Sequence, residues 1–473
     1  MKLSILMPVY NERTVVERCI SHVLAAPLPE DMTREIVMVD DSSTDGTFAI
    51  LQRLAAAHPE IRLYRHEVNK GKGAAVRTAI GYAEGDFCLI QDADLEYDPA
   101  EYPRLLLPLV TGHADAVFGS RYLVSEQTRV LLFWHSVINK TLTLISNMFC
   151  NLNLTDMETG YKAFRTDLLK SIPIRSNRFG FEPEIVVKCA KRKLRVYEVP
   201  ISYHGRTYEE GKKIGWKDGV KAMGVILRFW LIDDLYSEPY GRGSLNTLTG
   251  TPQYISWIIR VLRPHMGDTV LELGAGIGNI AARTMSRRVM YVAAEKDPLH
   301  LHALNNRFLR TPNVTVRRID PSVDADFDGL EESFDTVLAL NVLADTPNPD
   351  RTLASLVRTL KPGGALVALV PQGEGLFGTL DRFAGHSRRF DAATVRAAAE
   401  RAGLQIEDAI EVNRIGVPAW WFYGKVLGRT SINKLVLKLF DKSVWIWRNI
   451  DKLLPWQGLS LIVVARKSAA RKG

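Results

Sequence analysis

The sequence predicts an α/β protein of two units, each built on a parallel β-sheet. Three observations lead there. Apolar runs of strand length alternate with amphipathic stretches of helical period, and the alternation stops and later restarts. The break falls in SEPYGRGSLNTLTGT, Ser237 to Thr251, rich in Gly, Ser, Thr and Asn and nearly free of large aliphatics. The 473 residues also exceed the roughly 250–300 at which a single core stops growing. The expected division is a first unit over 1–236, a linker over 237–252 and a second unit over 253–473.

In the first unit the strands read LSILMPVY, EIVMVDD, IRLYRH and FCLIQDAD, with helices expected from Val15 to Ala25, Thr47 to Ala57 and Gly73 to Ala83. Near-continuous apolar strands separated by helices suit a sheet covered on both faces. The second unit runs TVLELGAG, MYVAAEKD, VTVRRID, FDTVLALNV and ALVALVP, with helices expected from Asn279 to Arg287, Leu299 to Leu309 and Asp350 to Leu360. No short internal repeat is present, which excludes solenoids and propellers.

The four cysteines, Cys19, Cys88, Cys150 and Cys189, form no Cys-x-x-Cys pair, which argues against a zinc site and against a disulfide framework. A reducing, cytoplasmic setting is expected. The start, MKLSILMPVYNER, reads as a first strand rather than a signal peptide. The most apolar stretch, Val220 to Leu235, is interrupted by Lys221, Arg228, Asp233 and Asp234, so no membrane span is expected. The net charge of +8 suits nucleic acid, anionic lipid, phosphorylated substrates or a merely soluble surface, and does not choose among them.

Parallel sheets bind ligands beyond the carboxyl ends of their strands. Four such places in the first unit carry chemistry: PVYNE (Pro8 to Glu12), VDDSSTDGT (Val39 to Thr47), NKGKG (Asn69 to Gly73) and QDAD (Gln91 to Asp94). Asp92, Asp94 and Glu96 are hard oxygen ligands suited to hold Mg²⁺ or Mn²⁺ against a diphosphate. A solvated acidic loop has the same composition; the buried strand before it favours the metal. Asp40 and Asp41 stand where carboxylates bind base or ribose hydroxyls, or equally where they cap the helix starting near Thr47. In NKGKG two glycines let backbone N–H groups approach a phosphate while Lys70 and Lys72 supply charge; a simple turn is the alternative.

With GSRY at Gly119 to Tyr122, DMETGYKAF at Asp156 to Phe164 and EVPISYHGRTYEEGKK at Glu198 to Lys213, these motifs stand in a fixed order. Over residues 1 to 235 the sequence resembles glycosyltransferase family 2, and within it the dolichyl-phosphate mannose synthase-like enzymes. The resemblance implies a GT-A fold, a nucleotide-sugar donor, inversion at the anomeric carbon and a polyprenyl phosphate acceptor, a glycan being the alternative. It implies that Pro8, Tyr10, Glu12, Asp40 and Asp41 hold the nucleoside and that Asp92, Asp94 and Glu96 hold the metal. Arg121 would meet the acceptor phosphate, and Arg206 with Lys212 the phosphates of a closed state. A phosphate acceptor needs no strong general base; for a hydroxyl acceptor, Glu182 in FGFEPE is the candidate. Relatives carry a further Arg before the helix that here reads FWHSVINK, and Arg129, His135 and Lys140 are its nearest substitutes.

In the second unit, VLELGAGIGNI runs a strand into Gly274, Gly276 and Gly278, with Glu272 two residues before the first glycine. A dinucleotide fingerprint would need its third glycine at 279, where Asn stands. The spacing instead resembles motif I of class I S-adenosylmethionine-dependent methyltransferases, with their Rossmann-like fold. Glu295 ends the second strand, where a carboxylate accepts from ribose hydroxyls, and the resemblance implies an adenine contact for Asp320. After the fourth strand Asn341-Val342-Leu343-Ala344-Asp345 lacks the acid and histidine that relatives often carry, which leaves open a domain that binds S-adenosylmethionine without methylating. His386 is the candidate polar group near an acceptor, or a surface histidine.

From Val417 to Gly458 aromatics interleave with Lys425, Arg429, Lys434, Lys438, Lys442, Arg448 and Lys452. The segment reads either as a lid over the methyltransferase pocket or as a peripheral membrane contact on the cytoplasmic face. No nucleic-acid module accompanies the charge, so nucleic acid is not an expected partner. The combined expectation is a bifunctional transferase; a silent second domain and a non-catalytic membrane-associated scaffold are the rivals.

Overall fold

The structure, a computed structural model, describes residues 1–123, 129–130, 132–205, 216–232, 234–235, 251–309, 311–430 and 432–469. The chain divides into two compact units, Met1–Ser237 and Glu238–Gly473.

The first unit holds strands β1 (Lys2–Val9), β2 (Thr33–Asp40), β3 (Ile61–Arg65), β4 (Phe87–Ile90), β5 (Ala116–Ser120), β6 (Lys162–Arg165) and β7 (Val196–Pro200). Its helices are α1 (Val16–Ala25), α2 (Thr47–Ala57), α3 (Lys72–Tyr82), α4 (Tyr102–Val110), α5 (Phe133–Cys150), α6 (Thr166–Lys170), α7 (Phe181–Lys191) and α8 (Trp216–Leu231). The sheet order is β3-β2-β1-β4-β6-β5-β7. Side chains alternate between two cores, as the period of a strand requires. Leu3, Ile5, Met7 and Val9 face Val16, Ile20 and Leu51, whereas Leu6, Val37 and Val39 share the other core with Val76, Ile185 and Ile226.

The expectation of a purely parallel sheet is corrected here, because β6 runs antiparallel to both β4 and β5. β6 has only four residues, KAFR, and begins with the fully buried Lys162, so it lacks the apolar run by which a buried strand is recognised. The order reverses between β1 and β4, and such a switch point opens a crevice at the strand ends. PVYNE and QDAD both end there.

The second unit orders β8 (Thr269–Leu273), β9 (Met290–Glu295), β10 (Val314–Arg318), β11 (Phe334–Leu340), β12 (Leu360–Pro371), β13 (Leu404–Val412) and β14 (Ser460–Lys467) as β10-β9-β8-β11-β12-β14-β13. The first five are parallel, and β14 is antiparallel to both of its neighbours. Its own switch point lies between β8 and β11, beside the glycine loop. The helix expected from Asn279 is shorter, an α-turn at Ala281–Thr284 continued by a 3₁₀ turn at Met285–Arg287. Among the described residues no helix is long and apolar enough to cross a membrane.

Candidate functional site

At the β1/β4 switch point a cleft of about 700 Å³ opens in the first unit. Pro8, Tyr10, Glu12, Asp41, Lys72, Asp92, Asp94, Glu96, Arg121 and Glu182 all line it. Asp40 is not among the lining residues: it is fully buried, accepts from the Ser43 amide and pairs with Arg65 at 3.1 Å. Arg206 and Lys212 lie outside the described residues.

Asp41 organises the NKGKG loop. Its Oδ1 accepts from the Lys70 amide at 2.9 Å and faces His66 Nδ1 at 2.7 Å, while Oδ2 accepts from the Gly71 amide at 2.6 Å. Gly71 has φ +96°, and a Cβ there would stand 2.5 Å from the Asn177 carbonyl oxygen, so glycine is required at this turn into α3. The turn starts the helix at Lys72 and sends its side chain into the cleft. There Lys72 Nζ bridges Asp92 Oδ1 at 2.8 Å and Glu182 Oε1 at 3.0 Å. Burial opposes its charge, but Asp92 and Glu182 hold the ammonium well above its usual range.

Asp92, Asp94 and Glu96 share the cleft, although among the described residues no three His, Cys, Asp or Glu side chains gather as a metal-holding group. Asp92 is engaged by Lys72, Asp94 Oδ1 accepts from the Glu96 amide at 3.1 Å, and Glu96 Oε2 accepts from the Tyr203 hydroxyl at 2.8 Å. The donor chemistry nonetheless fits a hard divalent cation. Mg²⁺ is usually held by one or two carboxylates completed by substrate phosphates, not by an all-protein cage.

Arg121, which follows β5 and also lines the cleft, makes a paired contact with Asp156, Nε to Oδ2 at 2.6 Å and Nη2 to Oδ1 at 2.8 Å. Its guanidinium lies 5.0 Å from the Tyr203 ring centroid. Although burial opposes it, Asp156 holds the Arg121 charge well above the ordinary guanidinium range. Such a fork is fixed in orientation before any anion arrives. Of the substitutes for the missing arginine, Arg129 donates to the Gly205 carbonyl at 3.3 Å and Lys140 lies over the Tyr122 ring at 5.1 Å. Neither lines the cleft, nor does His135.

Sequence reasoning assigned no role within DMETGYKAF, yet Asp156, Glu158 and Gly160 all serve the cleft. Gly160 backs onto Asp92, whose Oδ2 would lie 2.4 Å from a Cβ at that position. Glu158 lines the cleft, and its Oε1 is buried without a hydrogen-bond partner. Burial first, then the charge of Glu182, pushes its carboxyl up to about 7. The signal was the alternation of charged and glycine residues in the motif.

In the second unit Gly274, Gly276 and Gly278 all take positive φ, so the loop has the backbone that the glycine spacing requires. Glu295 Oε2 accepts from the Gly276 amide at 2.7 Å, fixing the loop to the end of β9. Glu272 is 1% exposed and accepts from the Tyr291 hydroxyl at 2.8 Å; burial pushes its carboxyl up to about 7. It lies under the loop rather than open to a ligand. Asp320 Oδ1 accepts from the Ser322 amide at 2.9 Å. His386 meets Asp381, a buried carboxylate that also pairs with Arg389 and accepts from the Trp420 indole, so it belongs to a structural network. The helix Lys434–Ile450 packs on the helix Pro252–Leu262, where Tyr254 meets Phe440 at 6.0 Å. Trp445 on it is 64% exposed.

The first unit is thus a nucleotide-diphosphate-sugar type of α/β fold with an acidic, cation-bridged cleft, and the second a Rossmann-like fold with a glycine loop. The glycosyl transferase family 2 model matches residues 4–172 and a methyltransferase domain model residues 271–366. An undecaprenyl-phosphate mannosyltransferase of Micrococcus luteus is 30% identical over 48% of this chain and 93% of its own length. A dolichol-phosphate mannosyltransferase of Pyrococcus furiosus is 30% identical over 46% of this chain, which spans 60% of that relative's length. A glucosyl-3-phosphoglycerate synthase structure from Mycobacterium tuberculosis aligns with 48% of this chain and 79% of its own, at 20% identity and a TM-score of 0.38. The chain belongs to glycosyltransferase family 2 and carries a methyltransferase domain in its second half.

Proposed function

We propose that the first unit transfers a sugar from a nucleotide-sugar donor to a polyprenyl phosphate with inversion, and that the second binds S-adenosylmethionine and methylates a related product. The observation that carries the first part is that a single cleft is lined by Asp92 and Asp94 together with an Arg121 already oriented by Asp156. Pro8, Tyr10, Glu12 and Asp41 would surround the nucleoside. Asp92 and Asp94 would hold Mg²⁺ or Mn²⁺, which supplies Lewis-acid stabilisation of the leaving diphosphate. Arg121 binds the acceptor phosphate and turns one oxygen toward the anomeric carbon. A bond forms from that oxygen to the carbon, and the bond to the nucleoside diphosphate breaks with its electron pair.

Glu182 Oε1 is engaged by the Lys72 ammonium at 3.0 Å and so is not free to take a proton from an incoming hydroxyl, which favours a phosphate acceptor. A lipid acceptor is supported by α5 and α8, which line the cleft with Ile138, Leu142 and Ala222. On the same helix as Ile138, Phe133 is 69%, Trp134 71% and Met148 75% exposed, a composition suited to a lipid surface. The protein would work in the cytoplasm, against the membrane.

The test is a thermal-shift screen of the whole chain with GDP-mannose and UDP-glucose plus Mn²⁺, and separately with S-adenosylmethionine, followed by transfer of labelled sugar to undecaprenyl phosphate. One donor should stabilise only with metal, and Asp94→Ala should abolish transfer without unfolding the unit. Transfer surviving Asp94→Ala would refute the metal assignment, and absence of stabilisation by every probe would favour the scaffold reading.

A further inference from the structure

The loop from Thr155 to Tyr161 enters β6 and is fastened on both sides of Glu158. The amides of Thr155 and Asp156 donate to Glu198, that of Met157 to Thr143 Oγ1, and that of Gly160 to the Tyr97 hydroxyl. Buried Lys162 donates to the carbonyls of Met157 and Thr159, on either side of Glu158. Burial pulls this lysine down to about 8 against the charges of Glu182, Asp156 and Glu158. So much fastening leaves Glu158 fixed at its backbone, while its carboxyl, with Oε1 buried and unpartnered, lines the cleft. Glu182, 4% exposed on α7, likewise keeps one buried oxygen, Oε2, without a partner. A buried acceptor without a donor is costly, and two such oxygens beside one cleft call for a ligand rich in hydroxyl donors.

Their place in the loop says which part of the substrate that is. Two residues before Glu158, Asp156 holds Arg121; two residues after it, Gly160 abuts Asp92. The group being transferred must lie between the acceptor phosphate at the first and the donor diphosphate at the second. We infer that Glu158, with the neighbouring Glu182, reads the hydroxyls of the transferred sugar and is the specificity-determining residue of the donor site. The inference rests on the proposed glycosyl transfer.

The experiment measures dissociation constants of the whole chain for GDP, GDP-mannose, UDP and UDP-glucose, each with Mn²⁺, in the wild type and in Glu158→Leu. Hydrogen bonds to a charged or buried carboxyl carry discrimination of about 10- to 100-fold. The variant should lose about that much affinity for the bound nucleotide sugar while its parent nucleoside diphosphate binds unchanged. Removing a carboxyl that repels Glu182 should also leave the melting temperature equal or higher, a readout that a merely structural role would move the other way. Equal weakening of sugar and nucleoside diphosphate, a lowered melting temperature, or no change in either constant overturns the inference alone. Failure of the wild type to bind any of the four probes overturns the proposed function as well.

Discussion

Replacing Asp156 by Asn tests whether Arg121 is held as an anion receptor. Asn keeps the volume and an acceptor oxygen but removes the charge opposite a guanidinium that is 9% exposed, while Asp156 itself is fully buried. Breaking a buried ion pair by removing one partner costs about 3–5 kcal/mol, because the remaining charge is left uncompensated. For a unit of this size each kcal/mol lowers the melting temperature by about 2–4 °C. The first unit of Asp156→Asn should therefore melt about 6–20 °C lower, with the open side of the cleft favouring the smaller figure. Inorganic phosphate should then recover part of the loss, since an anion can replace the missing carboxylate. Differential scanning calorimetry against a phosphate titration measures both. An unchanged melting temperature, or a loss that phosphate at high concentration leaves untouched, would refute the view that Arg121 faces the acceptor side of the cleft.

Two further outcomes concern the second unit. Glu272 rises from its ordinary 4.5 to about 7 through burial, so the folded unit binds that proton more tightly than the unfolded chain. Its stabilising effect is complete below about 4.5 and is lost as pH rises through about 7, a difference of about 3 kcal/mol. Glu272→Gln should flatten that dependence and raise the melting temperature of the unit at pH 8; an unaltered pH profile would remove the explanation. Gly278 has φ +78°, and a Cβ there would stand 2.6 Å from the Phe308 ring and 2.9 Å from Leu304. Gly278→Ala should cost about 2–4 kcal/mol through strain and overpacking and weaken S-adenosylmethionine binding. Isothermal titration at wild-type affinity would show that the loop does not require glycine.

The strands before the first cleft were legible because β1, β2 and β4 are buried on both faces and appear as continuous apolar runs. The chemistry at their ends was legible because the motifs sit where such strands stop. β6 escaped notice because its first residue is a lysine, neutral packing being replaced by hydrogen bonds to two carbonyls. β13 escaped because it is half exposed, LQIEDAIEV carrying three acids. For the site, residue type could not separate a carboxylate spent on the fold from one offered to a ligand. Asp41 and Glu295 satisfy amides of neighbouring loops, at Gly71 and Gly276, and Glu272 a tyrosine. Only the hydrogen-bond partners in three dimensions distinguish these from Glu158.

The alternation of Asp156, Glu158 and Gly160 has a consequence for how such a cleft can change. A chain advances at most about 3.3–3.6 Å per residue, so four peptide units keep the residue that holds Arg121 within about 14 Å of the one that abuts Asp92. The segment works as a ruler whose graduations are single residues. On the inference drawn above, substitution at its middle mark would alter what is read there, whereas an insertion or deletion of one residue would move all the marks past each other. Surface loops generally tolerate changes of length better than this; on that inference, specificity here would be free to drift by spelling but not by length.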